Sequence, residues 1–220
     1  MQINIQKDVH NKVKIEFEGP AALDNQFYLN YRQEILKNTR EIPPKLLTRF
    51  NPKGYLALQK KFKQTRLDYL NQSQNSIDPR LSTWLENNIV YQFANNLFTY
   101  PNQVHEPRDP NKSYYSFSEN IILNNKSAIL QSAYQAFIIN FTRYKLEKTQ
   151  KWGINTSAEE QFKFIRRYFV GDALYIYQFF LLNRGKFKKK KNREKEVKAF
   201  FASKAPEGYK QYIWETMNRN

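Results

Sequence analysis

The chain contains no cysteine. That absence excludes disulfides, thiolate metal ligands, cysteine nucleophiles and Cys-x-x-Cys redox chemistry within it. Histidine is nearly missing too. The two present, His10 and His105, lack a second histidine or a carboxylate three or four residues away on a helix, the spacing that makes a metal edge; Glu106 merely adjoins one of them. Both histidines read as solvated loop residues. Six glycines are few for a turn-rich sandwich, and no Gly-x-Gly-x-x-Gly, Gly-x-x-x-x-Gly-Lys-Ser/Thr or Gly-x-Ser-x-Gly occurs. "MQINIQKDVHNKVKIEF" lacks the basic start, apolar run and small-residue cleavage site of a signal peptide, so a complete chain is expected to be cytoplasmic. The longest apolar stretch, "ALYIYQFFLL" (residues 173–182), includes Gln178 and is far shorter than the ~20 residues of a membrane span.

Apolar residues are plentiful, at 40% of 220 positions with 16% aromatic, so burial can offset the entropy of ordering. The length allows one large domain or two small ones. A formal charge of +16 favours polyanionic partners, namely nucleic acid, anionic lipid or acidic protein.

The hydrophobic period places the elements. Ile3 and Ile5, then Val13, Ile15 and Phe17, alternate as two half-buried strands joined across "KDVHN". A lone hairpin is marginal in water, so this one reads as the remnant of a larger β-domain. After Gly19-Pro20, Leu23, Phe27, Tyr31 and Ile35 recur every four residues and predict a helix ending before Pro43-Pro44. A second helix is predicted from Pro52, with Tyr55, Leu58, Phe62 and Tyr69 inward. Asp78 as N-cap and Pro79 at the first helical position open a third. It carries Leu81, Leu85, Ile89, Phe93 and Leu97 on one face and is expected to end near Tyr100, before Pro101.

A Pro-rich connection leads to a fourth helix, expected over 125–148 with Ala133, Phe137, Phe141 and Tyr144 inward. Ser157 and Glu160 have capping-box spacing and open a fifth through Phe162, Ile165 and Phe169. Gly171 interrupts it, with Asp172 as the expected new N-cap before Leu174, Tyr177 and Leu181. Two shorter helices close the chain, around 197–201 and 209–217. The fold class is mainly α, a multi-helix array or bundle behind a short N-terminal β-hairpin remnant. The expected division is a remnant over 1–19 and a single helical domain over 20–220.

No nucleophile with its base, tuned carboxylate pair or metal set is visible, so no catalytic, cofactor-binding or metal residue is assigned and no cofactor is implied. Glu159 and Glu160 stand at a helix start, where negative charge complements the macrodipole. The rings of "SYYSF" (113–117) and "YIYQFF" (175–180) could stack unpaired bases, but their helical spacing is that of core side chains. The feature left over is "GKFKKKKNREKEVK" (185–198). It has eight basic and two acidic residues, a net +6, which leaves +10 for the other 206 positions. Lys186, Lys188, Lys189, Lys190, Lys191 and Arg193 are its candidate polyanion contacts. Glu194 and Lys198 stand four apart in the favourable order for pairing on a helix.

Four segments carry a resemblance. "KIEFEGPAALDNQFYLNYRQEI" (14–35) resembles the junction after the β-domain of bacterial TlpA-like thiol-disulfide oxidoreductases. "WLENNIVYQFANNLFTYP" (84–101) resembles their helix with a Tyr-x-x-Ala-x-x-Leu core ending in Tyr-Pro. "ENIILNNKSAILQSAYQAFIINFTRY" (119–144) is similar to their Leu-Asn-Asn segment and the helix after it. "YFVGDALYIYQFFLL" (168–182) is similar to the Gly-interrupted helix that follows. In that family the region is a helical domain between a β-domain and a C-terminal thioredoxin domain, exported to the cell envelope.

The resemblance therefore implies a non-catalytic interaction or spacer domain in the periplasm or envelope. Its partners would be proteins: the neighbouring β- and thioredoxin domains, or a redox partner. The chain departs from the family in having neither Cys-x-x-Cys nor a thioredoxin domain, so no redox residue carries over. The alternative, raised by the charge, is a basic helical nucleic-acid-binding protein. Against it, no helix-turn-helix glycine turn, zinc-ligand set or aromatic RNP pattern is present.

Overall fold

The alternating N-terminus forms β1 (Gln2–Lys7) and β2 (Val13–Glu18), an antiparallel pair with Ile3 opposite Phe17 and Ile5 opposite Ile15, so the apolar positions of both strands are in register. The computed structural model describes residues 2–7, 13–39, 42–73, 75–104, 112–149, 157–184, 187 and 189–218. His10, His105, Glu106, Lys186 and Lys188 lie outside them. Beyond the hairpin the protein is a mainly α multi-helix array. Its internal contacts divide it into two compact units, Met1–Tyr114 and Tyr115–Asn220. The chain passes from the hairpin into the first helix through a turn at Gly19. Gly19 adopts a φ of 102°, which only glycine takes without strain, and its carbonyl accepts from the Ala22 N–H at 3.0 Å as α1 (Ala22–Asn30) begins.

In the first unit the four-residue apolar repeat drifts about 40° per step on an α-helix. A wider π-helical stretch over Tyr31–Leu36 takes up that drift. Phe27 and Tyr31 are buried and Leu23 is left exposed, against expectation. A one-turn helix, α2 (Pro44–Leu47), has no counterpart among the expected elements and buries Leu47. α3 (Pro52–Gln72) is capped by Asn51, whose side chain accepts from the Gly54 N–H at 2.7 Å. Its buried stripe is Tyr55, Gln59, Arg66 and Leu70, while Leu58, Phe62 and Tyr69 are only half-buried. α4 (Pro79–Gln103) packs antiparallel against it: Tyr55 stacks on Tyr100 at 4.3 Å, Asn96 donates to Gln59 at 3.2 Å, and Arg66 Nη1 donates to Gln92 at 3.0 Å.

Arg66 also binds Thr39 through its hydroxyl, at 2.8 Å, and its backbone carbonyl. The buried guanidinium thus holds the end of the first helical segment against the α3–α4 pair. Asp78 caps α4 as expected, accepting from the Arg80 N–H at 2.7 Å, and Asp24 accepts from the Asp78 N–H at 2.8 Å. The Arg80 guanidinium on its side chain holds the Asp78 carboxyl at about 2. α4 does not stop at Tyr100 but runs through Pro101 to Gln103. Proline withholds the N–H that the Leu97 carbonyl would receive, and the Tyr114 hydroxyl donates to that carbonyl instead, at 2.9 Å.

In the second unit, a 3-10 segment (Lys112–Asn120, shared across the boundary) and a short one (Lys126–Ala128) precede α5 (Ser132–Thr149). The helix expected from 125 therefore begins seven residues later. Asn125 accepts from the Ser127 N–H and hydroxyl, and the Tyr134 hydroxyl bridges the Leu123 carbonyl and the Asn125 N–H, which uses the local polar groups in turns. Ala133, Phe137 and Phe141 are buried as expected, and Tyr144 is half-buried against Tyr115 at 4.2 Å.

α6 (Ala158–Ile165) opens on the expected capping box, with Ser157 accepting from the Glu160 N–H and Glu160 from the Ser157 N–H. It stops at Ile165, and Phe169 is buried from the following extended stretch. Gly171, at a φ of 54°, starts α7 (Gly171–Arg184), so Asp172 lies in the first turn rather than at the cap. The Asn124 side chain clamps this break, donating to the Tyr168 carbonyl and accepting from the Val170 N–H. α8 (Lys190–Phe201) and α9 (Glu207–Asn218) follow, with Phe179 of α7 stacked on Tyr209 of α9 at 4.8 Å.

Candidate interaction surface

The basic stretch is positioned by its two apolar side chains, Phe187 and Val197, and its arginine. Phe187 lies 6.1 Å from the buried Phe162 ring of α6, which ties the α7–α8 connection to that helix. Arg193 Nη2 donates to the Leu182 carbonyl at 3.3 Å, in the last turn of α7, where carbonyls lack intrahelical donors. Val197 and Phe200 then bury the inner face of α8.

Two hydrogen bonds set α8 beside α6. Asn192 donates to Glu159 at 2.8 Å near the starts of both helices, and Arg166 donates to Glu196 at 2.7 Å further along. The helices therefore run side by side in the same direction. Glu159 and Lys163 of α6 and its C-cap residue Arg166 follow at i, i+4 and i+7, so Lys163 stands exposed between the two cross-links. Arg166 also lies over the Phe162 ring, at 5.6 Å.

The structure divides the expected contact residues. Lys189, Lys190 and Lys191 are exposed at the start of α8, whereas Arg193 is half-buried and bound to the α7 carbonyl. Lys186 and Lys188 fall outside the described residues. Sequence reasoning missed Lys163 of α6 and Arg166 and Arg167 just after it, all exposed; only the fold brings Arg166 to Glu196 of α8. It also passed over Lys195 and Lys198, which share an i, i+4, i+7 stripe with Lys191; counting from Lys191 would have found it.

The carboxylates on these two helices are mostly occupied inside the fold. Glu160 closes the capping box, Glu159 accepts from Asn192 and Glu196 pairs with Arg166, leaving Glu194 outward. The expected Glu194–Lys198 pair is not among the ion pairs of the described residues. The surface therefore presents cations while its acids hold helices together.

The aromatic stretches are packed within the fold. Tyr114, Phe117 and Tyr177 are buried, and Phe179 and Phe180 lie against Tyr209 and Tyr177. Among the described residues, no three carboxylates or histidines gather as a metal would need, and no helix is long and apolar enough to cross a membrane. No protein-family model, curated protein or solved structure matches the chain.

Proposed function

We propose that the chain is a non-catalytic helical interaction and spacer domain of the kind that TlpA-like thiol-disulfide oxidoreductases carry ahead of their thioredoxin domain. It would act in the cell envelope on protein partners: its neighbouring domains or a redox partner. The observation that supports this reading most is where the resembling segments fall. Gly19 makes the strand-to-helix joint, Tyr91, Ala94 and Leu97 are buried along α4 up to Tyr100-Pro101, Asn124 and Asn125 clamp turns, and Gly171 breaks α6 from α7. Residues placed at joints and in the core specify a scaffold that holds other domains apart.

The flanking reading frame tests the proposal. An upstream signal peptide with further β-strands and a downstream Cys-x-x-Cys are the expected result; unrelated neighbours on both sides would overturn it. A binding measurement adds an independent readout. Titration of the labelled chain with a TlpA-like thioredoxin domain is expected to shift resonances on a contiguous surface.

A further inference from the structure

From the α6–α8 face we infer that the protein docks peripherally on anionic phospholipid membranes. The first ground is the arrangement of cations on α8. Lys191, Lys195 and Lys198 line its exposed side, opposite Val197 and Phe200, with Lys189 and Lys190 at the N-terminal end. Like charges at i and i+4 repel, and cations in a first helical turn oppose the macrodipole. The helix is therefore charged against its own stability, and Lys163 of α6 and Arg167 just beyond that helix are further exposed cations. Local choices that conflict with the fold mark a surface used for something else.

The second ground is which side chains the face offers. A helix that reads duplex DNA places base-reading side chains in the major groove. α8 has its flank tied toward α6 through Asn192–Glu159 and Arg166–Glu196, and its outward side offers Lys191, Lys195 and Lys198, a set suited to phosphates. Unpaired bases would need exposed rings to stack on, whereas here Phe162 and Phe200 are buried and Phe187 lies against Phe162. A bilayer surface requires neither a groove nor stacking. Lysines on long stems reach its headgroup phosphates, while the apolar side of α8 stays in the core, so the contact is electrostatic and does not insert.

Vesicle co-sedimentation of the full chain tests this. Binding is expected to phosphatidylcholine vesicles containing roughly one-third phosphatidylglycerol but not to pure phosphatidylcholine, with release as salt approaches 1 M, where the screening length falls to about 3 Å. Lys191→Gln/Lys195→Gln/Lys198→Gln should weaken binding on the order of a hundredfold. The same three changed to Arg should retain it, which separates loss of charge from loss of fold. A control triple on α3, Lys53→Gln/Lys60→Gln/Lys61→Gln, removes equal charge from exposed positions and should change binding less than threefold. An unchanged α8 triple, or an equal loss in the α3 triple, would overturn the assignment. Tighter binding of DNA than of vesicles at the same salt, lost in the α8 triple, would replace the membrane with nucleic acid.

Discussion

The unit Met1–Tyr114 buries a charge where its two longest helices meet, whereas Tyr115–Asn220 keeps its described charges out of the core and fills the α5–α7 region with rings. Arg66 is the one charged residue in the buried set of the described chain, satisfied by Thr39 and Gln92. In the second unit Phe137, Phe162 and Phe169 are almost fully enclosed, and polar side chains such as Asn124, Asn125 and Ser157 work at helix ends. The contrast separates two ways of making helices unique. A buried hydrogen-bonded guanidinium sets the mutual placement of three segments by direction, while interlocked rings do so by volume.

Four measurements sharpen that contrast, each read by urea unfolding through a tryptophan of the unit concerned. Trp84 reports the first unit when Trp152 and Trp214 are replaced by Phe, and Trp214 the second when Trp84 and Trp152 are replaced. Phe137→Ala should have the largest effect, lowering the stability of the second unit by about 4 kcal/mol through the cavity it leaves. Arg66→Ala should cost the first unit roughly 2–3 kcal/mol, because the Thr39 carbonyl and Gln92 lose a buried donor. An unchanged first unit would show that the guanidinium is not what joins those segments.

Tyr114→Phe should cost about 1 kcal/mol by leaving the Leu97 carbonyl without its hydroxyl donor. Pro101→Ala restores a backbone N–H to the same carbonyl. The Tyr114→Phe penalty should therefore shrink in the Pro101→Ala background, and equal penalties in both would break the explanation.

A pH-dependent effect is expected in alkali. Burial raises the Tyr31 phenol to about 12, with the Arg66 charge opposing, and burial raises Tyr177 further still. Each folded phenol holds its proton more tightly than the unfolded value of about 10. The stabilisation is thus whole below pH 10 and is lost as pH climbs past it, for Tyr31 between pH 10 and about 12. Tyr31→Phe should flatten the alkaline fall of the first unit, and Tyr177→Phe that of the second.

Legibility in the sequence followed the range of the interaction. The Asp78 cap of α4 and the Ser157–Glu160 capping box were readable because both partners lie within three residues. The one-turn α2, the π-helical stretch and the passage of α4 through Pro101 were not. The last depends on a group supplied from far along the chain, the Tyr114 hydroxyl reaching the Leu97 carbonyl across 17 residues. The cationic face was half legible. The lysine run stood out, but its alignment with Lys163 and Arg166 came from bonds spanning some 30 residues.

By itself, then, the sequence determined helical class, most helix starts, the absence of thiol chemistry and the excess of positive charge. All of these rest on residue type and near-neighbour spacing. Tertiary structure alone decided that Gln59 and Arg66, not Leu58 and Phe62, take the centre of the α3 face, because a buried polar group is tolerated only where partners on other elements meet it. It also decided which lysines form a surface. Arg193 was drawn inward by an open carbonyl on α7, while Lys191, Lys195 and Lys198 were left together outside.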